Sequence, residues 1–88
     1  MSEPKYSAKE IVQRGQAIYD QQIRSKVESE HRGEFLVLDI LTGEYEIDPE
    51  DIIATKRLLA RCPDAVIFGL RIGHRAAYRL GGFSKVKN

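Results

Sequence analysis

The sequence predicts an α+β fold, ordered helix–strand–strand–helix–strand, with a three-stranded mixed sheet in the order 2-1-3 and helices packed on one face. Three observations carry this. Apolar residues recur at helical spacing from residue 11 to residue 27. A β-rich run, Phe35 to Leu41, meets an alternating run, Glu44 to Asp48, across Thr42-Gly43. A second helical pattern follows Pro49 and leads into an apolar stretch from Ala65 to Ile72.

The first helix has a marked start. Ser7-Ala-Lys-Glu10 is a capping box, in which the serine hydroxyl takes the Glu10 amide and the glutamate reaches back. Ile11, Val12, Ile18, Tyr19, Ile23 and Val27 form the apolar stripe, with Lys9, Arg14, Asp20, Arg24 and Lys26 opposite. Gly15 interrupts it at about 1 kcal/mol relative to alanine, so something packs closely there or the defect is tolerated. The helix is expected to end near Gly33.

Phe35 to Leu41 is apolar on both faces, as expected of a central strand covered on both sides. Tyr45 and Ile47 alternate with Glu44, Glu46 and Asp48, the pattern of a half-exposed edge. The second helix is expected to open at Asp48 as cap, with Pro49 at the first helical position. Ile52, Ile53, Leu59 and Ala60 are expected inward, Lys56, Arg57 and Arg61 outward, and Cys62-Pro63-Asp64 ends it. On the last strand Val66, Phe68, Leu70 and Ile72 share one face. A right-handed crossover through the second helix carries the third strand past the second, which gives the order 2-1-3. With both helices on one face, the other face, or the exposed third strand, is expected to be covered by another copy or a partner, a dimer being the first guess.

With 88 residues there is room for one domain, 1–88, with 1–6 and 83–88 as loosely ordered tails. The single cysteine, Cys62, forbids an internal disulfide and a cysteine-only metal cage. No stretch reads as a membrane span or signal peptide, so a cytoplasmic protein is expected, with no membrane partner. Net charge is only +1, but it is segregated. Residues 28–51 hold nine acids against one base, and residues 71–88 hold five bases and no acid.

That basic end contains the most unusual stretch, Arg71-Ile-Gly-His-Arg-Ala-Ala-Tyr-Arg-Leu-Gly-Gly82. Read as a site, Arg71, His74, Arg75, Tyr78 and Arg79 could hold an anion, a nucleic acid or an acidic partner surface, since guanidinium forks match phosphate and carboxylate. Read as structure, Arg75 to Leu80 is a short helical turn whose charges are solvated or meet the chain's own acids. The glycines form no phosphate-loop pattern. His31 and His74 lack an orienting acid or nucleophile recognisable from sequence and read as surface histidines. Cys62, at a helix end before proline, reads as structural. Asp39 is odd in an apolar strand and reads as a paired acid, with Arg71 a candidate partner. The acids from Glu44 to Asp51 lack EF-hand spacing and read as a solvated face.

The element order, with Ile18-Tyr19, Gly33-Glu-Phe-Leu-Val37, Thr42-Gly43-Glu-Tyr45, Arg71-Ile-Gly73, Ala77-Tyr78 and Gly81-Gly82, resembles a group of short uncharacterised proteins from cyanobacteria over about residues 10–82. That resemblance implies no particular activity. The element pattern alone is similar to the small strand–strand–helix–strand antitoxins of the HicB kind, and it carries over no functional residue. Together these readings lead to a non-enzymatic, oligomeric protein-interaction or regulatory module without cofactor or metal. The alternative is a nucleic-acid binder using the basic segment 71–87, where Lys85 and Lys87 would join the arginines.

Overall fold

The computed structural model describes residues 6–74 and 77–82. The expectations placed on residues 1–5, on Arg75, on Lys85 and Lys87 and on the C-terminal tail fall outside the described residues. The α+β class and the strand order 2-1-3 hold. The elements are α1 (Ala8–Ile18), a π-helical segment (Tyr19–Ile23), α2 (Arg24–His31), β1 (Phe35–Asp39), β2 (Tyr45–Asp48), α3 (Asp51–Arg61), β3 (Val66–Arg71) and β4 (Ala77–Gly82). The sheet runs β2-β1-β3-β4.

The capping box is present. Glu10 N donates to Ser7 Oγ at 3.1 Å, and Ser7 N to Glu10 Oε1 at 2.9 Å. Along α1, the π-helical segment and α2 the buried positions are Ile11, Gly15, Tyr19, Ile23 and Val27, each four residues from the last. An α-helix drifts by about 40° over every four-residue step, so this stripe would wind away from the sheet. The π-helical turn holds more residues per turn and restores the phase in mid-course. Gly15 lies against Phe68, so close packing is the reason for the glycine.

Three sheet expectations are corrected. First, the sheet is antiparallel at every pairing, not mixed. Strands β2 and β3 do run parallel, but β1 lies between them and opposes both. Second, the helices cover opposite faces, not one. Leu36, Leu38, Ile40, Phe68, Leu70 and Ile72 pack with Ile11, Tyr19, Ile23 and Val27. Val37, Ala65 and Ile67 pack with Ala54 and Leu58 of α3. The two apolar faces of β1 are thus both satisfied within the chain, and the argument for a second copy over a bare face falls away. Third, of the helical turn read over Arg75 to Leu80, the described residues from Ala77 on belong instead to a fourth strand, Ala77–Gly82, registered along β3 from Val66↔Gly82 to Leu70↔Ala77. Ladder hydrogen bonds to β3 outweigh the helix propensity of Ala, Arg and Leu.

Helix α3 also differs from expectation. Asp48 ends β2, and the helix begins at Asp51 after a bend. The Asp48 carboxylate still accepts the Glu50 amide, at 2.8 Å. Its buried positions are Ala54, Thr55 and Leu58, while Ile52, Ile53 and Ala60 are exposed and Leu59 is half-buried. Arg57 and Arg61 do not point to solvent alone. Arg57 Nη1 lies 3.3 Å from Asp48 Oδ1, Arg61 Nη2 2.9 Å from Glu46 Oε2, and Arg61 Nη1 pairs with Glu44. The acidic face of β2 therefore looks toward α3, and the helix turned to meet it.

Candidate binding site

The two outer edges of the sheet are unlike. Just before β2, Glu44 O accepts from Asp39 N, so the carbonyl of Tyr45, the first residue of β2, points away from β1. Arg61 Nη2 donates to that carbonyl at 3.0 Å while its guanidinium holds Glu44 and Glu46. This edge is four residues long and plugged by a charged side chain, a common protection against strand addition. The β4 edge is six residues long, and no described strand pairs with its outer side. A register shift between Gly69 and Leu70 makes Tyr78 the extra residue of a bulge, with Arg79 opposite Gly69.

Beside the start of β4, two turns lock together. Gly33 N donates to Ile72 O and Ile72 N to Glu34 O, both at 2.8 Å. Gly33 and Gly73 each have φ of +91°, which glycine adopts without strain. Arg71, the last residue of β3, is opposite Phe35 in register. Its Nε donates to Gly33 O at 2.9 Å, and its guanidinium carbon lies 5.4 Å from the centre of the Phe35 ring. His74 follows at the surface, its amide donating to Arg71 O at 2.9 Å. Of the predicted site residues, the structure thus brings Arg71 and His74 into one turn and carries Tyr78 and Arg79 on the adjoining strand. Arg75 lies between, outside the described residues.

Sequence reasoning missed Arg32. Its side chain crosses Gly73 so closely that a Cβ there would sit 2.9 Å from Arg32 Cγ and Nη1. Nothing local marked it, because the contact joins turns that are forty residues apart. The charge accounting around it is telling. Arg24 pairs with Asp20 and Glu28, Arg57 with Asp48, and Arg61 with Glu44 and Glu46. Arg14 lies over the Tyr6 ring, 4.8 Å from its centre. Among the arginines whose side chains are described, Arg32 and Arg71 alone have neither a carboxylate partner nor a place over a tyrosine ring. Glu34, two residues beyond Arg32, contacts His31 Nδ1 at 3.1 Å.

The other candidates resolve as structure. Asp39 is 2% exposed and does not meet Arg71, which lies at the other end of the β1–β3 ladder. Its Oδ1 accepts Leu41 N at 3.1 Å and Val66 N at 3.0 Å, and its Oδ2 accepts Thr42 Oγ1 at 3.0 Å. It ties the β1–β2 turn to the start of β3. An open cavity of about 290 Å³ beside it is lined by Thr42, Arg61 and the half-buried Cys62. Of its polar groups, Asp39, Thr42 and Arg61 already have partners within the chain, and Asp64 is exposed at its rim. Among the described residues no three His, Cys, Asp or Glu side chains gather as a metal set, and no helix is long and apolar enough to cross a membrane.

No protein-family model, curated protein or solved structure matches the chain. The site must therefore be read from its own geometry.

Proposed function

We propose that this chain is a small, non-enzymatic cytoplasmic protein-interaction module that binds an extended segment of a partner along the outer edge of β4. The observation that carries the reading is the contrast between the edges, with β2 plugged by Arg61 and β4 left unpaired by any described strand. Backbone groups along an open edge supply affinity to an added strand, and flanking side chains supply selectivity. The flank here is basic, since residues 71–88 hold five bases and no acid. An acidic partner segment fits it. A second copy fits less well, because two β4 strands would set Arg79 and its basic flank against themselves. An antitoxin-type role, in which a partner protein is held and silenced, is one concrete form of such a module.

Nucleic acid is the second reading, favoured by Arg32 and Arg71 standing without carboxylates. Against it weigh a net charge of +1 and the acidic residues 28–51. Light scattering on the eluting peak of a sizing column, with absorbance at 260 and 280 nm, separates the readings at low and high salt. The chain has no tryptophan and four tyrosines, so bound nucleic acid raises the ratio sharply. A 10.0 kDa monomer with a protein-like ratio at both salts is expected. A salt-resistant dimer would make a second copy the occupant, and a raised ratio that falls at high salt would replace the reading with nucleic acid.

A further inference from the structure

We propose that a partner strand bonds to β4 through the backbone of Leu80 and Gly82, and that it is selected by an acidic residue set across from Arg79. The inference rests on the strand-addition reading and adds to it the register of the added strand and the chemistry of the partner.

The register follows from where β3 sends its own backbone groups. Val66 O accepts from Ile40 N at 3.0 Å and Ile72 N donates to Glu34 O at 2.8 Å, both toward the β1 side. Val66 N turns the same way and donates to Asp39 Oδ1 at 3.0 Å. Backbone direction alternates along an antiparallel ladder, so Val66, Phe68, Leu70 and Ile72 bond toward β1, and Ile67 and Gly69 bond toward β4. The residues opposite those two are Gly81 and Arg79. Gly81 and Arg79 therefore turn their N–H and C=O groups inward to β3, and Leu80 and Gly82 turn theirs outward. The bulge at Tyr78 breaks this two-residue rhythm, so the regular outward ladder begins at Leu80 and does not run back to Ala77.

The faces follow from the same register, because directly opposite residues share a face. Leu80 is across from Phe68, on the side that packs with α1. Arg79 is across from Gly69, which is itself across from Val37, on the side that packs with α3. Gly69 and Gly81 carry no side chain, so Arg79 sets the charge of that face along the regular part of β4. In an antiparallel pairing, which every strand pair of this sheet uses, the added residues lie about 5 Å from their opposites. An acid across from Arg79 and an apolar residue across from Leu80 are the favourable pairs. Charge complementarity points the same way, since residues 71–88 hold five bases and no acid. A peptide backbone matches the alternating donors and acceptors of the edge, which a nucleic acid does not.

The test is fluorescence anisotropy of a labelled peptide of about eight alternating Glu and Val residues, joined to amide hydrogen exchange of the chain with and without it. Gly82→Pro removes an outward donor and no side chain, and an edge strand tolerates proline where the N–H faces away from the ladder. It is expected to melt as wild type and to bind several-fold more weakly. Gly81→Pro removes an inward donor and is expected to lose stability. A Gly82→Pro chain that melts as low as Gly81→Pro would overturn the register. Arg79→Glu is expected to weaken the Glu/Val peptide about threefold or more and to gain affinity for a Lys/Val peptide. Lys26→Glu makes the same change of net charge at an exposed site on α2 and is expected to bind nearly as wild type. Equal losses in the two charge variants, no loss in Arg79→Glu, or a wild-type preference for the Lys/Val peptide would remove the paired acid and leave strand addition standing. With peptide bound, exchange is expected to slow at the Leu80 and Gly82 amides. Slowing at Ala77 in their place would overturn the register and again leave strand addition standing. No binding of either peptide, or binding that slows no β4 amide, would overturn both. Slowing that grows with protein concentration in the absence of peptide makes a second copy the occupant, and tighter binding of a single-stranded oligonucleotide of similar length makes it a nucleic acid. Either result overturns the proposal.

Discussion

Gly15 of α1 and Phe68 of β3 touch so closely that a Cβ on the glycine would lie 2.6 Å from Phe68 Cβ and nearer still to its ring. Phe68 is wholly buried and has no room to move aside. Gly15→Ala gains up to about 1 kcal/mol of helix propensity and loses about 1–3 kcal/mol to overpacking, so a net destabilisation is expected. Urea unfolding checks it. A more stable variant would mean that α1 does not rest on Phe68.

Asp39→Ala should be among the most damaging substitutions in the β1–β2 turn. It leaves the Leu41 and Val66 amides and the Thr42 hydroxyl without their acceptor. A loss of about 3 kcal/mol is expected, with Asp39→Asn recovering part of it because one acceptor oxygen remains. Denaturant midpoints of the two variants measure the difference.

Tyr19 carries a buried hydroxyl with no partner among the described residues. Tyr19→Phe removes that group and is expected to raise stability by roughly 0.5–1 kcal/mol. In the wild type, burial and then the charge of Glu28 push the Tyr19 hydroxyl above its ordinary value of 10.0. The unfolded chain therefore ionises first as pH rises. Its contribution to stability is fully present below pH 10 and is lost as pH climbs through the folded-state value. Thermal unfolding from pH 8 upward should show a steeper alkaline loss in wild type than in Tyr19→Phe.

Arg61→Glu sets a third carboxylate beside Glu44 and Glu46 and uncaps the Tyr45 carbonyl. Like charges and an open edge should fray β2 and leave β4 untouched. Amide hydrogen exchange should quicken at Tyr45 to Asp48 and stay as in wild type from Ala77 to Gly82.

Gly33 and Gly73 share one backbone conformation but not one environment. A Cβ at Gly33 meets nothing within 4 Å, whereas at Gly73 it meets Arg32. Both alanine variants should lose about 1–2 kcal/mol to backbone strain. Only Gly73→Ala should also displace Arg32, which the Arg32 side-chain NMR signals would register.

Much of the fold was legible in local chemistry. Ser7 and Glu10 announced the first helix, the two apolar faces of β1 announced its central place, and the crossover rule ordered the strands. The phase of α3 was not legible, because Ile52, Ile53, Ala54, Leu58, Leu59 and Ala60 spread apolar character around the helix. Its rotation is decided by Arg57 and Arg61 meeting the acids of β2, a contact across seventeen residues at its longest. In the structural reading of the basic stretch, Arg75 to Leu80 is a helical turn; its described part, from Ala77, is a strand by pairing. Of the site, Arg71 and His74 stood out through local charge, while Arg32 came into view only when Gly33 and Gly73 set two distant turns side by side.

The central claim is that β4 and not β2 accepts a strand. The most direct measurement is a set of nuclear Overhauser contacts between the labelled chain and an unlabelled acidic peptide of about eight alternating Glu and Val residues, the length of a strand. The account predicts interstrand contacts to Ala77–Gly82 and none to Tyr45–Asp48. Contacts at β2, or at the exposed Ile52 and Ile53 of α3 with none at β4, would contradict it.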